Sequence, residues 1–464
     1  MRFAIFNLRF AIATTLIIYT MKFIKKFAFL TFICLSFISL NFAQTSRASI
    51  NEQVNLVTEF EVNGLKVLVK RRTSAPTVAA GLFIRGGARN ITDKNAGIEN
   101  FMLNAATEGS KKFPREVLRR ELAKTGSSVG SGATNDYSVL SLATTRQNFD
   151  RSWEIFTDIA LNPAFAAEDI ALVRDKILTG LRERETDNDN FLQILQDRVV
   201  YANHPYANET SGTSDTISKL SAEDLRAFHQ KTLQTSRLLL VIVGDLDAKD
   251  LQKRLTDSFG KLPRGDYKEE PYPALDFSKA TVDVTSRTLP TNYIQGIFNA
   301  PALGSPDYSA MRVAMTILRD RIFEEVRVKR QLSYAPSAEL NTFAANTASI
   351  YVTAVDANQA VSVMLNEIKS LKTDAVNDQE ISGVAGQFLT TYYIGQETNA
   401  AQALELAKYE LIGGGWRNAF AFLDKIREVT PKDIQTVSNK YMKNIRFVAI
   451  GNPSAINKDI FLQN

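Results

Sequence analysis

Histidine and cysteine are nearly absent from this chain of 464 residues, which has two histidines and one cysteine. Cys34 lies within an apolar N-terminal run, so removal of that run leaves a protein without a thiol. That excludes disulfides, thiolate metal sites and cysteine nucleophiles. Ile33 before it is a poor fit to the small residue expected ahead of a lipid-modified cysteine. The histidines, His204 and His229, stand in separate segments, HPY and LRAFHQKTL. Neither has another histidine within a helical turn. Acidic residues are absent before Ala43, where Arg2, Arg9, Lys22, Lys25 and Lys26 fall. Those five cations account for the formal charge of +5, so the remainder is close to neutral and a pI near 9.0 is no argument for nucleic acid. A strand-to-helix G-x-G-x-x-G is also missing, since Gly126, Gly130 and Gly132 follow a different pattern, and phosphate binding finds no support.

What is present reads as globular, with 45% hydrophobic and 23% charged residues. The length predicts at least two domains. From Met21 the chain runs MKFIKKFAFLTFICLSFISLNFAQ, a basic start, an apolar run from Phe27 to Phe42 and then polar sequence, the layout of a secretory signal. Residues 1–43 are assigned to targeting, with Met21 as an alternative start. Export to the periplasm or cell surface is expected, with an uncleaved membrane tether as the alternative.

EFEVNGLKVLVKRR predicts a hairpin turning at Asn63-Gly64. TVAAGLFIRGGARN predicts a strand closed by Gly86-Gly87, and GIENFMLNAATEGS, Gly97 to Ser110, an apolar helix. FPREVLRRELAKTG is a helix ending at Gly126, followed by a Ser/Gly-rich loop into a strand at Leu140 and Leu142. Phe149 to Ala160 and Ala167 to about Glu185 are helical by pattern. Ser221 with Asp224 predicts a capping box, and RLLLVIVGDLD a buried strand. RGDYKEEPYPALD, rich in Pro, Gly and charge, is the linker candidate. The basic run Lys70 to Arg72 reads as a solvated strand end, and Gly413 to Gly415 as helix termination.

After the linker the order begins again: TNYIQGIFNAP as a strand, a long helix from Tyr308 to about Arg327, and strands around Ser333 and Ala348 to Ala354. Helices follow near Ala360 to Leu371, Asp378 to Tyr393 and Ala400 to Ile412. LSAEDLRAFHQKTL with SRLLLVIVGD parallels VTPKDIQTVSNKYM with IRFVAIGNP, a capped helix and a strand closing on glycine. A duplicated α+β domain is the economical explanation.

Over nearly all of the mature chain the sequence resembles the insulinase or pitrilysin-type metallopeptidase family. The resemblance rests on Asn63 to Leu65, Gly86, G-I-x-x-F at Gly97 to Phe101, Glu108 to Pro114, HPY at His204 to Tyr206, and Val243 to Asp245. It implies two homologous α/β-sandwich domains, placed at 44–262 and 281–464 with a linker at 263–280. Active members carry H-x-x-E-H, two histidines one turn apart that bind zinc and a glutamate that activates water. Laid on this chain, the histidines fall on Asn100 and Asn104 and the glutamate on Leu103. The third ligand falls on Gly180 in VRDKILTG, and its acidic companion on Val173. Neither ligand nor base is present, and two separated histidines cannot replace them. His229 reads as a packed or surface residue, His204 as a loop-ordering hydrogen bonder.

One family element persists. VRVKRQLSY keeps Arg327 and Tyr334 at the positions of R-x-x-x-x-x-x-Y, a pair that in active enzymes binds substrate backbone and developing oxyanion. Read without the resemblance, Arg327 would cap a helix end and Tyr334 fill a strand. The resemblance implies a non-catalytic, substrate-binding subunit of a heterodimeric zinc peptidase. It would hold no cofactor of its own, with zinc in the partner, a zinc-bearing member of the same family. Peptide is expected to add as a strand along an edge at Ala80 to Arg85. The alternative is a peptide-binding or scaffold protein with no proteolytic partner.

Overall fold

The computed structural model of this chain describes residues 52–463; the targeting segment, 1–43, lies outside the described residues. β1 (Val57–Val62) and β2 (Leu65–Arg71) join at Asn63-Gly64. Both turn residues have positive φ, 49° and 87°, the geometry whose twist matches a hairpin. β3 (Thr77–Arg85) stops at Gly86 and Gly87, and a Cβ on Gly87 would stand 2.4 Å from the Asn135 carbonyl oxygen. Close approach of a neighbouring turn therefore demands glycine there.

The first half continues with α1 (Ile98–Ala106), α2 (Arg115–Thr125), β4 (Ser128–Ala133), β5 (Tyr137–Thr145), α3 (Phe149–Leu161), α4 (Ala167–Thr186), α5 (Asn188–Val200), α6 (Ala222–Thr232) and β6 (Leu238–Gly244). α6 starts on the expected capping box, with the Asp224 N–H donating to the Ser221 hydroxyl and the Ser221 N–H to the Asp224 carboxylate. The sheet order is β1-β2-β6-β3-β5-β4.

The second half comprises β7 (Thr281–Ser286), β8 (Asn292–Asn299), α7 (Tyr308–Ile322), β9 (Ser337–Leu340), β10 (Thr347–Ala354), α8 (Ala357–Thr373), α9 (Asp378–Gly395), α10 (Asn399–Ile412), α11 (Pro431–Tyr441) and β11 (Arg446–Gly451). Its sheet runs β7-β11-β8-β10-β9. β6 is parallel to β2 and antiparallel to β3, and β11 is parallel to β7 and antiparallel to β8. The two sheets thus share one topology, β1 excepted, and the duplication is a property of the fold.

Each half covers a face of the other. α10 lies on β3 and β6, and α5 lies on β8 and β11. With helices of its own half on the opposite face, β6 is buried along its whole length, which is why LLLVIVG shows no polar alternation. This packing corrects two expectations. Ala80 to Arg85 is not an edge: β3 is hydrogen-bonded to β6 on one side and β5 on the other. The free edge beyond β5 is β4, the Ser/Gly-rich stretch expected to be a loop. Nor is Lys70 solvated; it is 5% exposed and its ammonium lies 5.0 Å from the Phe420 ring centroid. Arg72 donates to the Glu397 carbonyl and the Asn399 side chain, each at 2.8 Å. The basic strand end therefore joins the halves.

Residues 263–280 contain no helix or strand. They are pinned by Tyr272, whose hydroxyl donates to the Asn135 carbonyl at 2.8 Å and whose ring lies 3.9 Å from the Arg89 guanidinium. Beside this strap, Asp136 accepts from the Tyr206 hydroxyl and from the Ala344 N–H of the second half. Burial pushes the Asp136 carboxyl up to about 6, against the pull of those hydrogen bonds. The folded chain thus holds this proton more tightly than the unfolded chain, so the associated stability is complete below the unfolded pKa and is lost as pH rises through about 6. Asp136→Asn should remove that dependence. Thermal melts from about pH 7.5 to about 4.5 are expected to show the native chain gaining on the variant as pH falls. Both proteins keep His204 and His229, so those titrations cancel, and parallel curves would refute the assignment.

Candidate functional site

α1 is held by its apolar face, with Phe101, Met102, Ala105 and Ala106 all in the first-half core. Its N-terminus follows Gly97 at φ 81°, where a Cβ would strike Gly212 Cα at 2.4 Å. On the other face, half-buried Asn100 and Asn104 stand one turn apart. The Asn104 amide donates to Asn100 Oδ1 at 2.9 Å and to the Asn100 carbonyl at 2.8 Å. Leu103 is 5% exposed and borders the same small void as Leu82, Ile84, Leu140 and His229. α4 packs against α1 and brings Val173 into the core at 3% exposure, while a Cβ at Gly180 would meet nothing within 4 Å. These positions do not fit a zinc ion. An amide pair bonded to itself, a leucine and a glycine supply no imidazole, no third ligand and no base. Among the described residues, no group of three His, Cys, Asp or Glu side chains comes together as a metal cluster.

The two histidines are used elsewhere. His204 Nδ1 accepts from the Tyr206 N–H at 3.1 Å, ordering the HPY turn. His229 Nε2 lies 2.9 Å from the Ala160 carbonyl in the core. Burial lowers the pKa of both, favouring neutral rings.

Arg327 and Tyr334 are brought together by an irregular exit from α7. The helix expected to reach Arg327 is α-helical only to Ile322 and continues as a π-helical segment, Phe323–Lys329. Such segments are rare and frequent at functional sites. Buried Val326 anchors it, its carbonyl accepting from the Leu332 N–H at 2.9 Å after a turn at Gln331 with φ 54°. No strand forms around Ser333; β9 begins at Ser337. The Arg327 guanidinium lies 4.1 Å from the Tyr334 ring centroid and 4.9 Å from that of Phe323. Tyr334 is 78% exposed and Phe323 41% exposed, so Tyr334 fills no strand, while Arg327 does lie in the last turn of its helical segment with its guanidinium against the two rings. Phe323 was not anticipated; its spacing of four before Arg327 was the available signal.

A cavity of about 1010 Å³ lies elsewhere, between the 269–275 strap and the Gly414–Asn418 turn, and touches none of these positions. In that turn Trp416 is buried and donates through Nε1 to Glu59 at 2.8 Å, joining the halves.

The chain matches the family description "Insulinase (Peptidase family M16)" over residues 66–214 and "Peptidase M16 inactive domain" over 219–388. It is 20% identical to an uncharacterized zinc protease of Mycobacterium leprae over 86% of this chain and 92% of that protein. It is 24% identical to the non-peptidase homolog YmxG of Helicobacter pylori, over 82% and 90%. Subunit 1 of the bovine mitochondrial cytochrome b-c1 complex is 26% identical over 55% of this chain and 54% of that protein. The solved peptidase M16 inactive domain from Pseudomonas fluorescens superposes with a TM-score of 0.76 at 19% identity, over 85% of this chain and 98% of that one.

Proposed function

Since this chain belongs to the insulinase family, peptidase M16, with other residues at its zinc-binding positions, we propose that it is the non-catalytic, substrate-binding subunit of a heterodimeric zinc peptidase. The observation that carries this reading is the contact of half-buried Arg327 with exposed Tyr334 at an irregular segment, in a chain that has Asn100, Leu103, Asn104 and Gly180 where the family resemblance puts the zinc ligands and base. A zinc-bearing family partner would supply the metal and the base. Arg327 and Tyr334 would donate to the peptide carbonyl and to the oxyanion as charge develops there. One edge open to an added peptide strand is β4, whose one strand neighbour among the described residues is β5. The basic and apolar N-terminal layout supports export, so the periplasm or cell surface is the proposed location, and no described helix is long and apolar enough to cross a membrane.

The test is reconstitution. The chain is mixed with a family member whose H-x-x-E-H is intact, and peptide hydrolysis is followed with Arg327 and Tyr334 present or both replaced by Ala. Unchanged hydrolysis by the double variant would refute the composite site. The chain alone is expected to bind no stoichiometric zinc. Metal analysis after dialysis against equimolar zinc checks this, and one bound ion per chain would restore the reading of an independent metallopeptidase. A second reading, a scaffold with no proteolytic partner, is favoured by the match to a cytochrome b-c1 subunit. A chain that stimulates no partner's hydrolysis would support it.

A further inference from the structure

We propose that Phe323, Arg327 and Tyr334 form a receptor for a carboxylate, so that the bound peptide is read by its C-terminus or by an acidic side chain as well as by its backbone. This rests on the reading of Arg327 and Tyr334 as peptide-binding residues and adds a substrate class to it.

The charge arrangement of the π-helical segment carries the inference. Lys329 and Arg330 are both paired with Glu325. Glu324 and Glu325 border a groove with Arg321 and Glu380 that does not include Arg327. Arg321 is matched in turn by Glu380 at 2.9 Å, and Arg319 by Asp320. Arg327 makes no ion pair or hydrogen bond among the described residues; its contacts are the rings of Phe323 and Tyr334.

Rings that hold a guanidinium by cation–π contact take none of its N–H groups, and no described residue accepts a hydrogen bond from those of Arg327. The guanidinium edge matches a carboxylate with two parallel hydrogen bonds, whereas a neutral carbonyl offers one oxygen. Phe323 is assigned as a positioning residue that holds the guanidinium plane.

The experiment uses the whole chain and fluorescein-labelled, N-acylated octapeptide pools free of Asp and Glu, prepared once as C-terminal acids and once as amides. A second pair of amidated pools carries Glu or Gln at one fixed position. Fluorescence polarisation is expected to show about 10- to 100-fold tighter binding for the acid of one pair, the gap expected of a charge-assisted hydrogen-bond pair. Whichever pair shows it identifies the source of the carboxylate. The preference should vanish in Arg327→Ala, shrink in Arg327→Lys, which keeps charge without the planar fork, and shrink in Phe323→Leu. Circular dichroism melts should change little, since Phe323 and Tyr334 are exposed and the half-buried Arg327 guanidinium holds no ion pair or hydrogen bond among the described residues.

Equal binding within both pairs, or a preference that survives Arg327→Ala, overturns the inference. If neither pair shows a preference and all pools bind more weakly to Arg327→Ala, the carboxylate receptor fails while the peptide-binding reading stands. If no pool binds, both fail.

Discussion

Leu103→Glu is expected to cost the fold about 3–5 kcal/mol, the penalty typical of an unpaired buried charge, and to lower the urea midpoint accordingly. Leu103 is 5% exposed and borders Leu82, Ile84 and Leu140 in the first-half core. The nearby asparagines of the same helix, Asn100 and Asn104, are already bonded to each other at 2.9 Å. Added zinc should not recover the loss, because Gly180 offers no third ligand and the two amides no imidazole. A urea titration of the variant with and without zinc is the measurement. A midpoint within experimental error of the native chain would mean that the position opens to solvent and tolerates a charge.

Replacing Arg327 and Tyr334 together by Ala is expected to lower partner-dependent hydrolysis by about 10²–10³-fold, the cost typical of removing an oxyanion donor. The effect should fall on kcat, with melting of the isolated chain unchanged. Those two outcomes separate a role in the reaction from a role in folding. Tyr334 is 78% exposed and the guanidinium's contacts are two exposed rings, so little packing is lost. The segment beneath is secured independently by Val326 and by the Leu332 N–H bond to its carbonyl. The variant must still bind the partner, shown by co-elution, since loss of assembly would lower hydrolysis for another reason.

Most of the architecture was legible because local rules carried it. Asn63-Gly64 turned as its φ preferences require, Ser221 and Asp224 capped a helix, and the repeated capped helix and closing strand marked a duplication that the two sheet orders share. The misread places depended on distant partners. Ser128–Ala133 has too little apolar alternation to announce a strand, and it becomes one by pairing with β5. Ala80 to Arg85 lies inside the sheet because β6 returns from far along the chain to pair with it. Lys70 is buried because the second half lays Phe420 and α10 over the first sheet.

The sequence by itself determined which side chains are available, Asn100, Leu103, Asn104 and Gly180 where the family resemblance puts zinc ligands and base, since packing cannot supply a coordinating group that a residue lacks. Tertiary structure alone decided how Arg327 and Tyr334 are displayed. A π-helical exit from α7 and a turn at Gln331 set Tyr334 against Arg327 and add Phe323 to the pair. The physical reason is the range of the interactions. Ligand chemistry belongs to single residues, whereas the exposure of a side chain and the edge of a sheet are set by segments that meet only when the chain has folded.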